Sequence, residues 1–94
     1  MTEEILKKHA TAILGYDESQ KALAQNIHRL RYDAVEKFYA ETISELCRQA
    51  SGDRRRGRHK LAAMLEQAMY NADEQRKLFK KIWTLCEPYM KDEK

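Results

Sequence analysis

The histidines are the residues of this chain best suited to metal or acid–base chemistry, and they are widely spaced. His9, His28 and His59 lack the separation of three or four residues that places two ligands on one face of a helix. We therefore predict no metal site and no cofactor. His9 falls on an apolar stripe, whereas His28 and His59 lie among cations, so packing or solvation explains all three.

Three glutamates come closest to a cation-binding cluster. Glu41 and Glu45 are four residues apart, and Glu66 could approach them from a neighbouring helix. Helical hydrolases that use such clusters usually repeat the acidic pair on a second helix, and here that helix offers Glu66 alone before Asp73. We interpret the glutamates as a solvated face. Because the chain also has no glycine-rich phosphate loop and no nucleophile elbow, we predict that it is not an enzyme.

The most basic segment is residues 51–60, which carries a net charge of +4. Closely spaced guanidinium groups suit phosphate, so the segment is a candidate anion or nucleic-acid contact. Its cations are Arg54, Arg55, Arg56, Arg58 and Lys60. The simpler alternative is that these cations complement the dipole at the end of the preceding helix and keep an exposed turn soluble.

A second basic band is predicted where residues 29–31 meet residues 76–81. If the chain folds back on itself about residues 51–60, basic segment 21–32 lies opposite 76–81, and acidic segment 33–50 lies opposite acidic 61–75. The candidate anion-binding residues of this band are Arg29, Arg31, Lys77, Lys80 and Lys81. We therefore expect a rod-shaped hairpin in which segments of like charge lie side by side. Two such hairpins packed antiparallel and offset by about half their length would bring basic segments against acidic ones.

Helix breakers define the expected elements, because glycine and proline occur only at Gly15, Gly52, Gly57 and Pro88. Their spacing predicts helices over about 3–14, 18–51 and 58–87, with a loop over about 52–57. A break near 71–73 is an alternative for the third helix, since Asn71-Ala72-Asp73 could end one helix and cap another.

Apolar periodicity supports these long helices. In the second, an initial stripe drifts onto the row Val35, Tyr39, Thr42, Leu46 and Ala50. In the third, the 4-3 alternation selects Leu61, Leu65, Ala68, Ala72, Gln75, Phe79, Ile82 and Cys86. A parallel row from Met64 to Tyr89 widens this stripe, so one partner helix cannot cover it. This surplus predicts three-helix packing, a dimer, or both.

The richest aromatic surface in the chain is also on the third helix. It consists of Phe79, Trp83 and Tyr89, with Met90. Tryptophan and tyrosine are favoured interface anchors because they bury a large area at little conformational cost, so these residues are a candidate protein interface. The alternative is that they form the hydrophobic core with apolar residues of the first two helices.

Composition and length limit the class of protein. The chain has 94 residues, of which 43% are hydrophobic and 35% charged, as in amphipathic helices with solvated outer faces. We predict one domain, 1–94. No apolar run approaches the roughly 20 residues of a bilayer span, and the acidic start is unlike a secretory signal. We predict a cytoplasmic protein without a membrane partner.

The predicted fold is all-α: a short N-terminal helix packed on an antiparallel hairpin of two long helices, which forms a helical bundle by dimerisation. The favoured function is that of a non-catalytic interaction or regulatory protein, a homodimer that binds another protein through the hairpin surface. Two alternatives remain. One is a nucleic-acid-binding accessory factor that uses residues 54–60 and the 29–31/76–81 band, and the weaker is a small helical enzyme that clamps an anionic substrate.

Overall fold

The computed structural model describes residue 13 and residues 15–90, and within them the chain is all-helical. The helices are Gln20–His28 (α1), Tyr32–Arg55 (α2) and His59–Met90 (α3). The all-α prediction is confirmed, as is the packing of two long helices against each other. The helix predicted over 3–14, and its packing on the hairpin, lie outside the described residues apart from position 13.

α2 and α3 form an antiparallel hairpin joined by a tight turn at residues 56–58. The predicted loop over 52–57 is too long, because α2 continues through the buried Gly52 to Arg55. The turn has the hydrogen bonds of a Schellman motif: Gly57 N–H donates to the Arg54 carbonyl at 3.1 Å, and Arg58 N–H donates to the Asp53 carbonyl at 2.8 Å. Gly57 has φ +80°, which glycine adopts without the steric penalty of a side chain.

The single helix predicted over 18–51 is wrong, because the chain breaks between α1 and α2. Ser19 caps the start of α1, and Arg31 leaves helical geometry with φ −56° and ψ 145°. The Arg31 guanidinium donates two hydrogen bonds of 2.8 Å to the Asp33 carboxylate and lies 5.0 Å from the centre of the Trp83 ring on α3. No glycine or proline lies at this break, so the local sequence does not signal the change in chain direction. The break instead coincides with the cation–π contact between Arg31 and Trp83 of α3.

An aromatic cluster joins all three helices at the open end of the hairpin. The Phe79 ring of α3 stacks on Tyr39 of α2, with centroids 5.4 Å apart, and also lies 6.2 Å from Tyr32. His28, the last residue of α1, lies 5.9 Å from the same ring. Phe79 therefore anchors α1 and the start of α2 onto α3.

The seam between α2 and α3 agrees with the prediction on α2 and differs from it on α3. Val35 and Ala50 of α2 are 0% and 2% exposed, and the residues of the predicted row between them are half-buried. On α3 the residues that face α2 are Ala62, Leu65, Met69, Ala72, Arg76, Phe79, Trp83 and Cys86. Leu61 and Ile82, predicted for the seam, are exposed instead. The apolar surface of α3 spans two adjacent rows, and α2 covers only one of them.

α3 is continuous, so the alternative break near 71–73 does not occur. Asp73 forms ion pairs with Arg76 at 3.0 Å and Lys77 at 3.3 Å, both within one helical turn. The helix also passes Pro88 and ends at Met90, beyond the predicted end at Glu87. Pro88 lies in the last turn, where the absent N–H removes one hydrogen bond rather than interrupting a long ladder.

The resulting structure is thin. The Cα trace measures 54 × 30 × 14 Å, so the molecule is elongated and narrow in one direction. Within the described residues, the buried hydrophobic core consists of Val35, Ala50 and Ala62. So small a core leaves much apolar surface in contact with solvent. None of the helices that the structure describes is long and apolar enough to span a bilayer.

Candidate protein-interaction surface

One face of α3 carries a regular row of exposed residues, which we call the outer row. It consists of Leu61, Met64, Ala68, Asn71, Gln75, Leu78, Ile82, Leu85 and Tyr89. The steps alternate between three and four residues, as in a heptad pattern, and each member is exposed. Met64, Leu85 and Tyr89 keep 68%, 74% and 75% of their surface in solvent. The outer row is therefore a second potential seam, about 42 Å long at 1.5 Å per residue.

α2 adds one large apolar side chain to this face. Each outer-row residue from Leu61 to Leu85 directly precedes a residue of the α2–α3 seam, and Phe38 likewise directly precedes the seam residue Tyr39. In an antiparallel pair of right-handed helices, residues that precede the seam on each helix lie on the same flank. Phe38, which is 44% exposed, therefore extends the apolar surface of the outer row near Leu78.

The predicted protein interface divides between the two sides of α3. Phe79 and Trp83 are half-buried within the molecule, where they contact the Tyr39 ring and Arg31 respectively. Tyr89 and Met90 remain exposed. The predicted interface does not include Leu78 and Leu85, although the sequence shows the 3-4 spacing of their row. Spacing alone does not tell which of two adjacent apolar rows faces the hairpin partner.

The basic turn is partly neutralised by carboxylates. The Arg54 guanidinium on α2 donates a 2.7 Å hydrogen bond to Glu66 on α3, which ties the two helices together beside the turn. The Asp53 carboxylate accepts a 3.3 Å hydrogen bond from the Arg58 guanidinium and lies 4.0 Å from the Arg56 guanidinium. These contacts favour the interpretation in which the arginines stabilise the hairpin turn. Arg55 and Lys60 have no ion pair among the described residues.

The second basic band is interrupted by acidic partners as well. Arg76 donates a 3.3 Å hydrogen bond to Glu36 of α2, so basic segment 76–81 meets acidic segment 33–50. The prediction that like charge lies beside like is therefore wrong at this point. The predicted partners across the hairpin lie about three to eleven positions away from the observed ones, because α2 extends further and the turn is tighter than expected. Among the candidate residues of this band, Arg29, Lys80 and Lys81 form no ion pair within the described part of the chain.

Two ion pairs within these basic regions shift the pKa values of their members. The hydrogen bonds from Arg31 hold the pKa of Asp33 below its usual value, and Asp33 in turn raises the pKa of Arg31. The Asp73 carboxylate raises the pKa of Lys77, mainly through their hydrogen bond. All of these side chains are solvent-exposed or half-exposed, so the pairs orient charges rather than build a catalytic centre.

Two of the three glutamates considered for cation binding, Glu45 and Glu66, pair with arginines. Glu45 binds Arg48 at 2.8 Å, and this hydrogen bond lowers the pKa of the carboxyl group. Glu66 binds Arg54, as described above. Across the described residues, no cluster of three or more histidine, cysteine or acidic side chains could hold a metal ion. An open cleft of about 240 Å³ lies at the α1–α2 joint. Its lining residues are His28, Arg29, Leu30, Arg31, Tyr32 and Met90.

Comparison of the chain with protein-family models, curated proteins and solved structures finds no significant match. The functional inference therefore depends on the geometry of the molecule alone.

Proposed function

We propose that this chain is a non-catalytic interaction protein whose hairpin binds another protein through the outer row of α3. The observation that carries the proposal is that all nine outer-row positions are exposed along a helix whose adjacent apolar row already packs on α2. A helix with apolar residues on two adjacent rows needs a second neighbour to remove both rows from water.

The size and shape of the apolar surface support this proposal. Leu78, Ile82, Leu85 and Tyr89 follow one another along the open end of α3, with Phe38 beside them. Scattered apolar residues are common on protein surfaces, but a contiguous row of this length is typical of an interaction site. Its 3-4 spacing suits a partner helix, because such spacing forms a straight seam along a second helix.

The charged residues give less support to the nucleic-acid alternative. Arg54, Arg56 and Arg58 contact carboxylates of the hairpin, so a phosphate would have to compete with Glu66 and Asp53 for them. Arg55 and Lys60 remain as candidate phosphate contacts. A titration of duplex DNA at about 50 and 200 mM salt tests this alternative, since phosphate contacts weaken steeply with salt.

Site-specific photocrosslinking in cells tests the proposed protein interface. A benzophenone amino acid replaces either Leu85 or Thr84 in otherwise identical full-length protein. Both positions are exposed, but Thr84 follows the seam residue Trp83 and therefore lies on the other flank of α3. We expect a discrete protein adduct from Leu85 and none from Thr84. No adduct from either position, or equal adducts from both, would contradict the proposal.

A further inference from the structure

We infer that the protein bound by the outer row is a second copy of this chain, and that the two α3 helices pair in antiparallel orientation. This inference rests on the proposed function and specifies its partner. It commits to one arrangement, in which Leu61 packs on the second copy's Leu85 and Met64 packs on the second copy's Ile82. Twofold symmetry repeats each contact at the other end of the seam.

The outer row is self-complementary in this arrangement. The polar residues at its centre, Asn71 and Gln75, meet each other across the twofold axis, and their amide groups can exchange hydrogen bonds. Ala68 lies opposite the second copy's Leu78, so a small side chain faces a large one. Apolar residues thus meet apolar residues on both sides of one polar centre.

Other antiparallel registers lose this match. A shift of one heptad places Asn71 opposite an isoleucine and Gln75 opposite a leucine. Amide groups buried against apolar side chains lose their hydrogen bonds to water and gain none in return. A single polar pair at the centre of an apolar seam therefore selects the register, as buried asparagine does in coiled coils.

Charge distinguishes the antiparallel arrangement from a parallel one. A parallel dimer in register would also place Asn71 on Asn71, but it would stack basic segment 76–81, with net charge +4, on the same segment of the second copy. The antiparallel dimer places that segment beside residues 65–70, whose only charged side chain is Glu66. Repulsion between two segments of charge +4 therefore disfavours the parallel orientation.

Cross-linking of two cysteine variants tests orientation and register together. Cys47 and Cys86 are free thiols, so they are first replaced as Cys47→Ser and Cys86→Ala. Leu61→Cys and Leu85→Cys are then introduced into separate preparations of the full chain, which are treated with a short bismaleimide alone and after mixing. We expect strong dimer cross-linking in the mixture and weak cross-linking in each preparation alone. Efficient cross-linking of each variant with itself would overturn the antiparallel arrangement.

The mass of the purified protein in solution tests the second copy itself. We expect about twice the 11.1 kDa of one chain by light scattering. Leu85→Ala removes three carbon atoms from each copy, and because 74% of each Leu85 surface is exposed in one chain, association should weaken about 400-fold. Thr84→Ala is the matched control, for which we expect no change, and circular dichroism checks that both variants keep their helices.

The outcomes separate this inference from the proposed function. A monomer at all tested concentrations, together with a Leu85 adduct to a different protein in cells, would overturn the second copy and retain the interaction surface. A monomer without any Leu85 adduct would overturn both. A dimer unaffected by Leu85→Ala would place the contact elsewhere and overturn the inference as well.

Discussion

Phe79→Ala is the substitution from which we expect the largest loss of stability among the contacts described. The Phe79 ring stacks on Tyr39 at 5.4 Å and lies near Tyr32 and His28, so it connects α3 with both other helices. Truncation to alanine removes these ring contacts and leaves the open end of the hairpin without its central side chain. We therefore expect the hairpin to be destabilised and α1 to detach from it.

The magnitude follows from the burial of this ring. Phenylalanine-to-alanine changes in full cores cost about 3–5 kcal/mol, and a half-buried ring should lose about half of that. The stacked pair with Tyr39 adds about 0.5–1.5 kcal/mol. The sum is about 2–4 kcal/mol, a large fraction of the roughly 5–14 kcal/mol expected for a chain of this length. It corresponds to a fall in Tm of about 10–30 °C.

Urea unfolding followed by circular dichroism at one protein concentration measures this loss. Lys80→Ala is the control, because Lys80 is the next residue, is exposed and forms no ion pair in the described part of the chain. Phe79→Leu separates ring stacking from hydrophobic volume, and we expect an intermediate loss. If Phe79→Ala unfolded within about 0.5 kcal/mol of Lys80→Ala, the ring would not anchor the helices and our account of the open end would be wrong.

Two further predictions concern the turn and the pH dependence. Gly57→Ala should lower the free energy of unfolding by about 1 kcal/mol, because φ is +80° and no heavy atom lies within 4 Å of an added Cβ, so backbone strain alone acts; an unchanged urea midpoint would contradict this. The pKa of Asp73 is lowered, mainly by its hydrogen bond with Arg76. Its stabilising contribution is therefore present above the pKa of an unfolded aspartate, about 3.9, and is lost as pH falls through the lower folded pKa. Asp73→Asn should make unfolding less dependent on pH between about 5 and 2, and an equally steep dependence in urea titrations would count against this ion pair.

The sequence was sufficient to predict the fold class and much of the hairpin. The long runs without glycine or proline predict the two long helices. Gly57 marks the turn between them, because a positive φ favours glycine. The row from Val35 to Ala50 was also predictable, since one apolar stripe on α2 leaves one way to face a partner. Expectations for residues 3–14 lie outside the described residues.

The break between α1 and α2 could not be predicted in the same way. Arg29, Leu30 and Arg31 are good helix formers, and no local signal separates them from the helices on either side. Arg31 leaves the helix where it contacts Asp33 and the Trp83 ring, and Trp83 lies 52 residues further along the chain. Propensity describes neighbours in sequence, whereas this contact exists only after the hairpin has closed.

The candidate interaction surface shows the same division. The sequence is enough to show that α3 carries two apolar rows at helical spacing and that one helix cannot cover both. That Phe79 and Trp83 turn toward α2 while Leu78 and Leu85 remain in solvent depends on how the two helices pack. Adjacent rows have nearly the same hydrophobicity, so the rotation of α3 about its axis depends on contacts across the hairpin. Those contacts, from Arg54 with Glu66 to Tyr39 with Phe79, assign one row to the fold and leave the other for a partner.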